Sequence, residues 1–190
     1  MPHPLRTPLR IFVAAYPAPD AALALVRAHA NLFHDEQLAV RARRDTPTSQ
    51  VHVTLHFVGE VAPAELDEVR ESVERSVAGL PAFAMAFHEL RSLPARGPAR
   101  LVAASAQSCT TLDEVRRRLV KRLAWNPRAQ REVFLPHATL SRFAAPQAEV
   151  AIERSIDPVV TTQIASVELV RSILKPGGAE HVLVERFPLT

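Results

Sequence analysis

Val51–Phe57 reads VHVTLHF. Alternation of this kind marks a half-buried strand whose every second residue lies on one face. His52, Thr54 and His56 are therefore expected side by side on the polar face. Two histidines and a hydroxyl in a row add nothing to a core. A second copy elsewhere would give that face a purpose, and His137–Phe143, HATLSRF, supplies one.

Reading outward from the two motifs, the elements fall into a repeated order. Leu9–Ala15 (LRIFVAA) is a compact apolar run suited to a buried strand. Asp20 then caps a helix reaching about Phe33, with Leu23, Val26, Ala30 and Phe33 along one side. An Arg-rich loop with Arg41, Arg43 and Arg44 leads into the first motif strand, which is expected to stop at Gly59. Pro63 opens an amphipathic helix whose Leu66, Val69, Val73 and Val77 share a face, and Gly79 closes it. Ala82–Leu90 is a strand.

After a turn over Pro94–Pro98 the order restarts. Arg100–Ser105 is a strand, and Thr110 or Thr111 caps a helix with Leu112, Val115, Leu119 and Leu123 inward. Glu132–Phe143 carries the second motif, Pro146 begins a short helical piece, and Ile164–Leu174 is a strand. A turn at Pro176–Gly178 feeds a last strand, His181–Phe187. The reading is one α+β domain over residues 1–190, built from structural repeats at about 9–92 and 99–175 plus the final strand. Each repeat forms a small, mainly antiparallel sheet backed by helices. The two lobes are pseudo-symmetric, and the motif strands face a central cleft.

Composition bounds the partners. The chain has 190 residues, 47% of them hydrophobic, enough for a real core and against disorder. Its net charge is +3, yet the cations are 21 Arg against two Lys. Arg presents a planar fork of donors matched to phosphate oxygens, so a polyanionic partner is permitted. Cys109 is the only cysteine, which excludes an internal disulfide and a thiolate metal cluster within the chain. No segment reads as a signal peptide or a membrane helix, so a cytoplasmic protein is expected, with no membrane and no obligate protein partner, as a monomer.

One His-x-Thr is a poor signal; eight His and ten Thr would produce about 0.4 copies by chance. Two copies, both followed by Leu and both at equivalent places in a repeat, need a cause. Facing strands would bring two imidazoles and two hydroxyls into one cleft. An imidazole titrates near 6.5, so one can be neutral and the other protonated, a general base and a general acid together. The hydroxyls of Thr54 and Thr139 can donate to non-bridging phosphate oxygens. Two His and two Thr lack the carboxylate or third His of a usual catalytic metal site, so neither metal nor cofactor is expected.

The chain resembles the two-histidine phosphoesterase superfamily, and most of all its bacterial and archaeal RNA 2′,3′-cyclic phosphodiesterases, first known as 2′-5′ RNA ligases. RIFVA resembles the opening strand, PTSQVHVTLHFVGEV the first motif, LPHATLSRF the second with its Arg142, and LVRSILKPGGAEHVLVERFPL the terminal hairpin. His181 departs from the family, which usually has an aromatic residue there, and RLVAAS lacks a frequent Trp. The resemblance implies hydrolysis of terminal 2′,3′-cyclic phosphates to 2′-phosphates, on RNA ends or small cyclic nucleotides, with weak reverse 2′-5′ ligation. It implies His137 as base and His52 as acid, with Thr54, Thr139 and Arg142 holding phosphate. An RNA-end-binding module without turnover, or a phosphodiesterase acting on 2′-5′ oligonucleotides or ADP-ribose cyclic phosphate, are the alternatives.

Other residues carry weaker expectations. His56 is placed at the cleft rim or in solvent. Strict alternation puts Arg142 on the face opposite His137, so it reaches the cleft only if the strand ends or bulges near Ser141. Phe12 or Tyr16 could stack on a base, with core packing the stronger expectation for Phe12. Arg41, Arg43 and Arg44 are kept as RNA contacts. Arg116–Arg118, Lys121 and Arg122 read as a solvated helix face, Cys109 as inert, and His88 has no evident partner.

Overall fold

The computed structural model describes residues 7–35, 42–123, 134–148 and 150–190. In chain order the elements are β1 (Leu9–Ala15), α1 (Pro19–Asp35), β2 (Arg43–Asp45), β3 (Val53–Val61), α2 (Leu66–Val77), β4 (Phe83–Leu93), β5 (Ala99–Ala106), α3 (Thr110–Leu123), β6 (His137–Gln147), β7 (Glu153–Ile164), β8 (Ser166–Lys175) and β9 (Gly178–Pro188). The strands form one antiparallel sheet in the order β7-β4-β5-β6-β3-β1-β8-β9, with β2 paired to β6.

That order is arranged about its centre. β1 and β5 flank the central motif strands β3 and β6, and the third strand of each repeat crosses to the other half. β4 pairs β5, and β8 pairs β1. All of these pairings lie within one sheet. Among the described residues, β3 and β6 touch in the ladder only where Val53 lies opposite Ala138, the middle residue of each His-x-Thr. Beyond that pair no further β3–β6 ladder pairing is formed among the described residues.

One face of the sheet carries the main core, where α1, α2 and α3 bury Leu25, Leu32, Val69, Val73, Leu112, Val115 and Leu119 against Val13, Val53, Leu55, Met85, Phe87 and Leu140. At about 1.5–3 kcal/mol per buried aliphatic or aromatic side chain, this layer dominates stability. The opposite face has a small apolar cluster, Phe12, Ala14 and Val170, with Tyr16 packed on it. This thin cluster floors the cleft.

Four expectations are corrected. Pro146 does not begin a helical piece; β6 runs to Gln147, and the chain from Glu153 to Ile164 is the edge strand β7, half-buried against β4. Its Ile156, Thr162 and Ile164 face inward while the charged positions face water, a two-fold rather than helical period. The expected strand at Ile164–Leu174 is in fact the end of β7 followed by β8. Within the Arg-rich loop, Arg43–Asp45 is a strand on the edge of β6. Gly59 does not stop β3: the register slips by one residue around Val58, and Gly59 continues the strand at φ +97°, a conformation only glycine adopts at little cost.

Candidate active site

Both motifs share a local device. Against β1, the partners change from Ala14–Thr54 to Val13–His56, so Leu55 is an extra residue, a β-bulge. Against β5, they change from Ala103–Thr139 to Val102–Ser141, so Leu140 is a bulge too. The Leu that follows each His-x-Thr is thus the bulged residue. Each Leu packs into the core, and the alternation of faces resets immediately after it.

The reset decides which side chains meet. His56 leaves the cleft and lies buried on the helix face, where Arg116 of α3 donates to its Nδ1 at 3.0 Å. Its expected place with His52 and Thr54 is thereby overturned. Ser141, its counterpart, is buried on the same side and hydrogen-bonded to His29 Nε2 of α1 at 2.9 Å. Phe57 and Arg142 take the cleft face instead, the bulge Arg142 required. Phe57 is half exposed and stacks on Phe12 with ring centroids 5.8 Å apart.

Around Val53–Ala138 the antiparallel register sets His52 opposite Thr139 and Thr54 opposite His137. The two histidines are diagonal neighbours, which ladder geometry puts about 7–8 Å apart at the backbone. Each ring is fixed in the same way. The Nδ1–H of His52 donates to the Gln50 carbonyl at 2.7 Å, and that of His137 to the Leu135 carbonyl at 2.9 Å. A carbonyl only accepts, so the proton sits on Nδ1 in both, and Nε2 is the nitrogen left for chemistry.

The neighbours of the two rings differ. His52 contacts Phe12, Tyr16 and His181 at centroid distances of 5.1, 5.3 and 4.9 Å. Burial pushes its pKa down to about 4, with His181, Arg142 and His137 adding repulsion against the hydrogen bond to Gln50. His52 is therefore neutral at pH 7. Burial, and Arg142 after it, also lowers His181, and burial together with Arg10 lowers Arg142. His137, on the Arg142 side, pairs in register with Ser105 where His52 has Tyr16.

The remaining expected residues divide. Phe12 is 2% exposed, so it floors the cleft beneath His52 and presents no free face to a base. Arg43 lies over the Phe33 ring at 3.9 Å and pairs with Asp45 at 2.9 Å, which commits its guanidinium to the α1 side. Arg44, one residue on, takes the other face and donates to the Pro176 carbonyl at 3.4 Å, reaching the β8–β9 turn. Gly178 leaves room for it: a Cβ there would stand 2.8 Å from the Arg44 guanidinium. Arg41 lies outside the described residues. Arg117 and Arg118 pair with Glu114 at 2.6 and 2.7 Å on the helix surface, whereas Arg116, expected on the same solvated face, turns inward to His56 and Phe134. Among the described residues, no group of three or more His, Cys, Asp or Glu could hold a metal ion.

Sequence reasoning missed Phe57 as a cleft residue because the bulge at Leu55 is invisible to alternation. It noticed His181 only as a departure. A groove of about 490 Å³ lies beside Tyr16 and His181, the two rings that touch His52, and is lined also by Ser49, Glu168, Val170 and Leu183 among others.

The model of the 2′-5′ RNA ligase superfamily matches residues 19–174. This chain belongs to that superfamily, the two-histidine phosphoesterases. Among solved structures, TT0787 of Thermus thermophilus is 27% identical with a TM-score of 0.78, over 95% of this chain and 97% of its own. E. coli LigT in complex with 3′-AMP is 20% identical with a TM-score of 0.77, over 96% and 99%. A phosphoesterase is 21% identical with a TM-score of 0.75, over 96% and 99%. No curated protein matched the chain. The α+β open sheet of this two-histidine phosphoesterase is thus the fold of its structural neighbours. No helix among its described residues is long and apolar enough to cross a membrane.

Proposed function

We propose that this protein hydrolyses RNA 2′,3′-cyclic phosphate termini, or small 2′,3′-cyclic nucleotides, to 2′-phosphomonoesters without a metal. The observation that carries the reading is the matched anchoring of His52 and His137 through Nδ1, which leaves Nε2 of each ring for proton transfer. E. coli LigT, of the same fold, has been solved with 3′-AMP and with phosphate, a nucleoside monophosphate and an inorganic phosphate.

In the proposed reaction a water oxygen bonds to phosphorus as the P–O3′ bond breaks. One Nε2 takes the water's proton, and the other Nε2–H gives a proton to the departing O3′. Thr54, Thr139 and Arg142 donate to the non-bridging oxygens, where charge accumulates. The resemblance implied His137 as base and His52 as acid. Burial of His52 supports the opposite direction, and we take burial as the guide. His52 is neutral in the free protein, the state a base requires, which leaves the part of the acid to His137. Because the two rings are placed alike, their roles can exchange for the reverse 2′-5′ ligation.

The test is incubation with 2′,3′-cyclic AMP in excess chelator, followed by separation of 2′-AMP from 3′-AMP. Sustained release of 2′-AMP alone is expected. Intact cyclic nucleotide, activity lost to the chelator, or 3′-AMP as product would each overturn the reading.

A further inference from the structure

The ring of His181 completes a triangle. Its centroid lies 4.9 Å from His52 and 5.0 Å from Phe12, edge-on to both, and Phe12 lies 5.1 Å from His52. Tyr16 closes the remaining flank at 5.3 Å. Phe12 and Tyr16 belong to β1 and its end, two strands from the source of His181. The third wall comes from β9, the last strand of the chain, which reaches the site by pairing with β8, itself paired to β1.

The Nδ1 of His181 is buried and has no hydrogen-bond partner among the described residues. A proton there would leave a buried donor unsatisfied and would add charge beside Arg142. His181 therefore stands as a neutral wall with its lone pair inward. The other charged or titratable groups around the cluster are Arg142 and His137 of β6, Tyr16, and Glu168 of β8, which acts on Tyr16 and is paired with Arg186. Each motif histidine is held through Nδ1 by the backbone carbonyl two residues before it, but the Nδ1 of His181 has no such partner among the described residues, yet its ring touches His52.

We propose that His181 is a positioning residue for His52: its ring presses the His52 imidazole onto Phe12 and keeps water from it, so the terminal hairpin sets the proton affinity of the site. The catalytic consequence rests on the function proposed above, but the enclosure does not. Arg44, from the strand beside β6, grips the turn of the same hairpin, so the wall is tied to the half of the cleft that carries His137.

The experiment is NMR titration of the His52 ring in the ligand-free protein, in wild type, His181→Ala and His181→Phe, alongside the pH dependence of kcat/KM on 2′,3′-cyclic AMP. His181→Ala admits water, and the His52 titration is expected to rise by ~1 pH unit or more toward the ordinary imidazole value, carrying the acid limb of kcat/KM with it. His181→Phe keeps a wall without nitrogens, and the titration should stay within ~0.5 unit of wild type. His29, on the helix face, reports an intact fold and should not move; if His181→Ala does not fold, His181→Ser makes the same comparison. A His52 titration unchanged by the small substitution, or moved equally by Phe and Ala, would overturn the inference. A shifted titration in a protein inert toward every cyclic phosphate would overturn the proposed function and leave this inference standing.

Discussion

The half of the cleft holding His52 and the half holding His137 share a backbone and differ in what surrounds it. Phe12-Val13-Ala14-Ala15 of β1 and Leu101-Val102-Ala103-Ala104 of β5 occupy the same register against their motif strands, and each motif strand bulges at the Leu after His-x-Thr. The frame therefore delivers two imidazoles and two hydroxyls to one face by one rule. Side chains then break the symmetry: aromatic rings enclose His52, while Leu101 and Arg142 stand where the first half has Phe12 and Phe57. Twofold geometry supplies two imidazoles anchored alike, and the aromatic enclosure lowers the proton affinity of one of them, His52.

The largest expected effect comes from removing either member of the pair. His52→Ala and His137→Ala should each lower kcat/KM on 2′,3′-cyclic AMP by more than ~100-fold, since positioned acid–base groups contribute about 10²–10⁴. Either variant retaining more than a tenth of wild-type activity would break the comparison at its root.

Arg142→Ala should come next, with a loss of ~10–100-fold in kcat/KM from missing charge-assisted bonds to phosphate. His56→Ala sharpens the contrast. The sequence pattern puts His56 in the cleft and the bulge takes it out, so steady-state kinetics should change less than ~3-fold while thermal unfolding shows a destabilised protein, by about 1–3 kcal/mol for the broken buried hydrogen bond.

Acid stability gives a smaller effect. Burial holds His29 and His56, like His52, at about 4, well below the ordinary 6.5. Between pH 4 and 6.5 the unfolded chain binds more protons than the folded one, so stability is complete above 6.5 and drains as pH falls through that window. Denaturant unfolding at pH 7 and pH 5 should differ by ~2 kcal/mol or more from these buried imidazoles together. A protein equally stable at both values would show that these rings are not held neutral.

Local pattern carried most of the fold. β1 starts and ends where its apolar run does, α2 follows its Leu66, Val69, Val73 and Val77 stripe, and the repeated element order announced two related halves. What stayed hidden was decided between strands. A bulge exists only in a strand's pairing with its neighbour, so Leu55 and Leu140 looked like ordinary alternating residues, and His56 was read on the wrong face. Arg142 was the informative exception, because its distance from His137 was at odds with strict alternation. β7 was missed because an edge strand with one wet face is mostly polar. The contact of His181 with His52 depends on three strand pairings, none local in sequence.

The pH dependence of kcat/KM for the wild-type protein bears most directly on a matched pair divided by its surroundings. A bell is expected, its acid limb falling near pH 4 where the enclosed His52 gains a proton. A profile with a single limb, or an acid limb at the ordinary imidazole value near 6.5, would contradict the account.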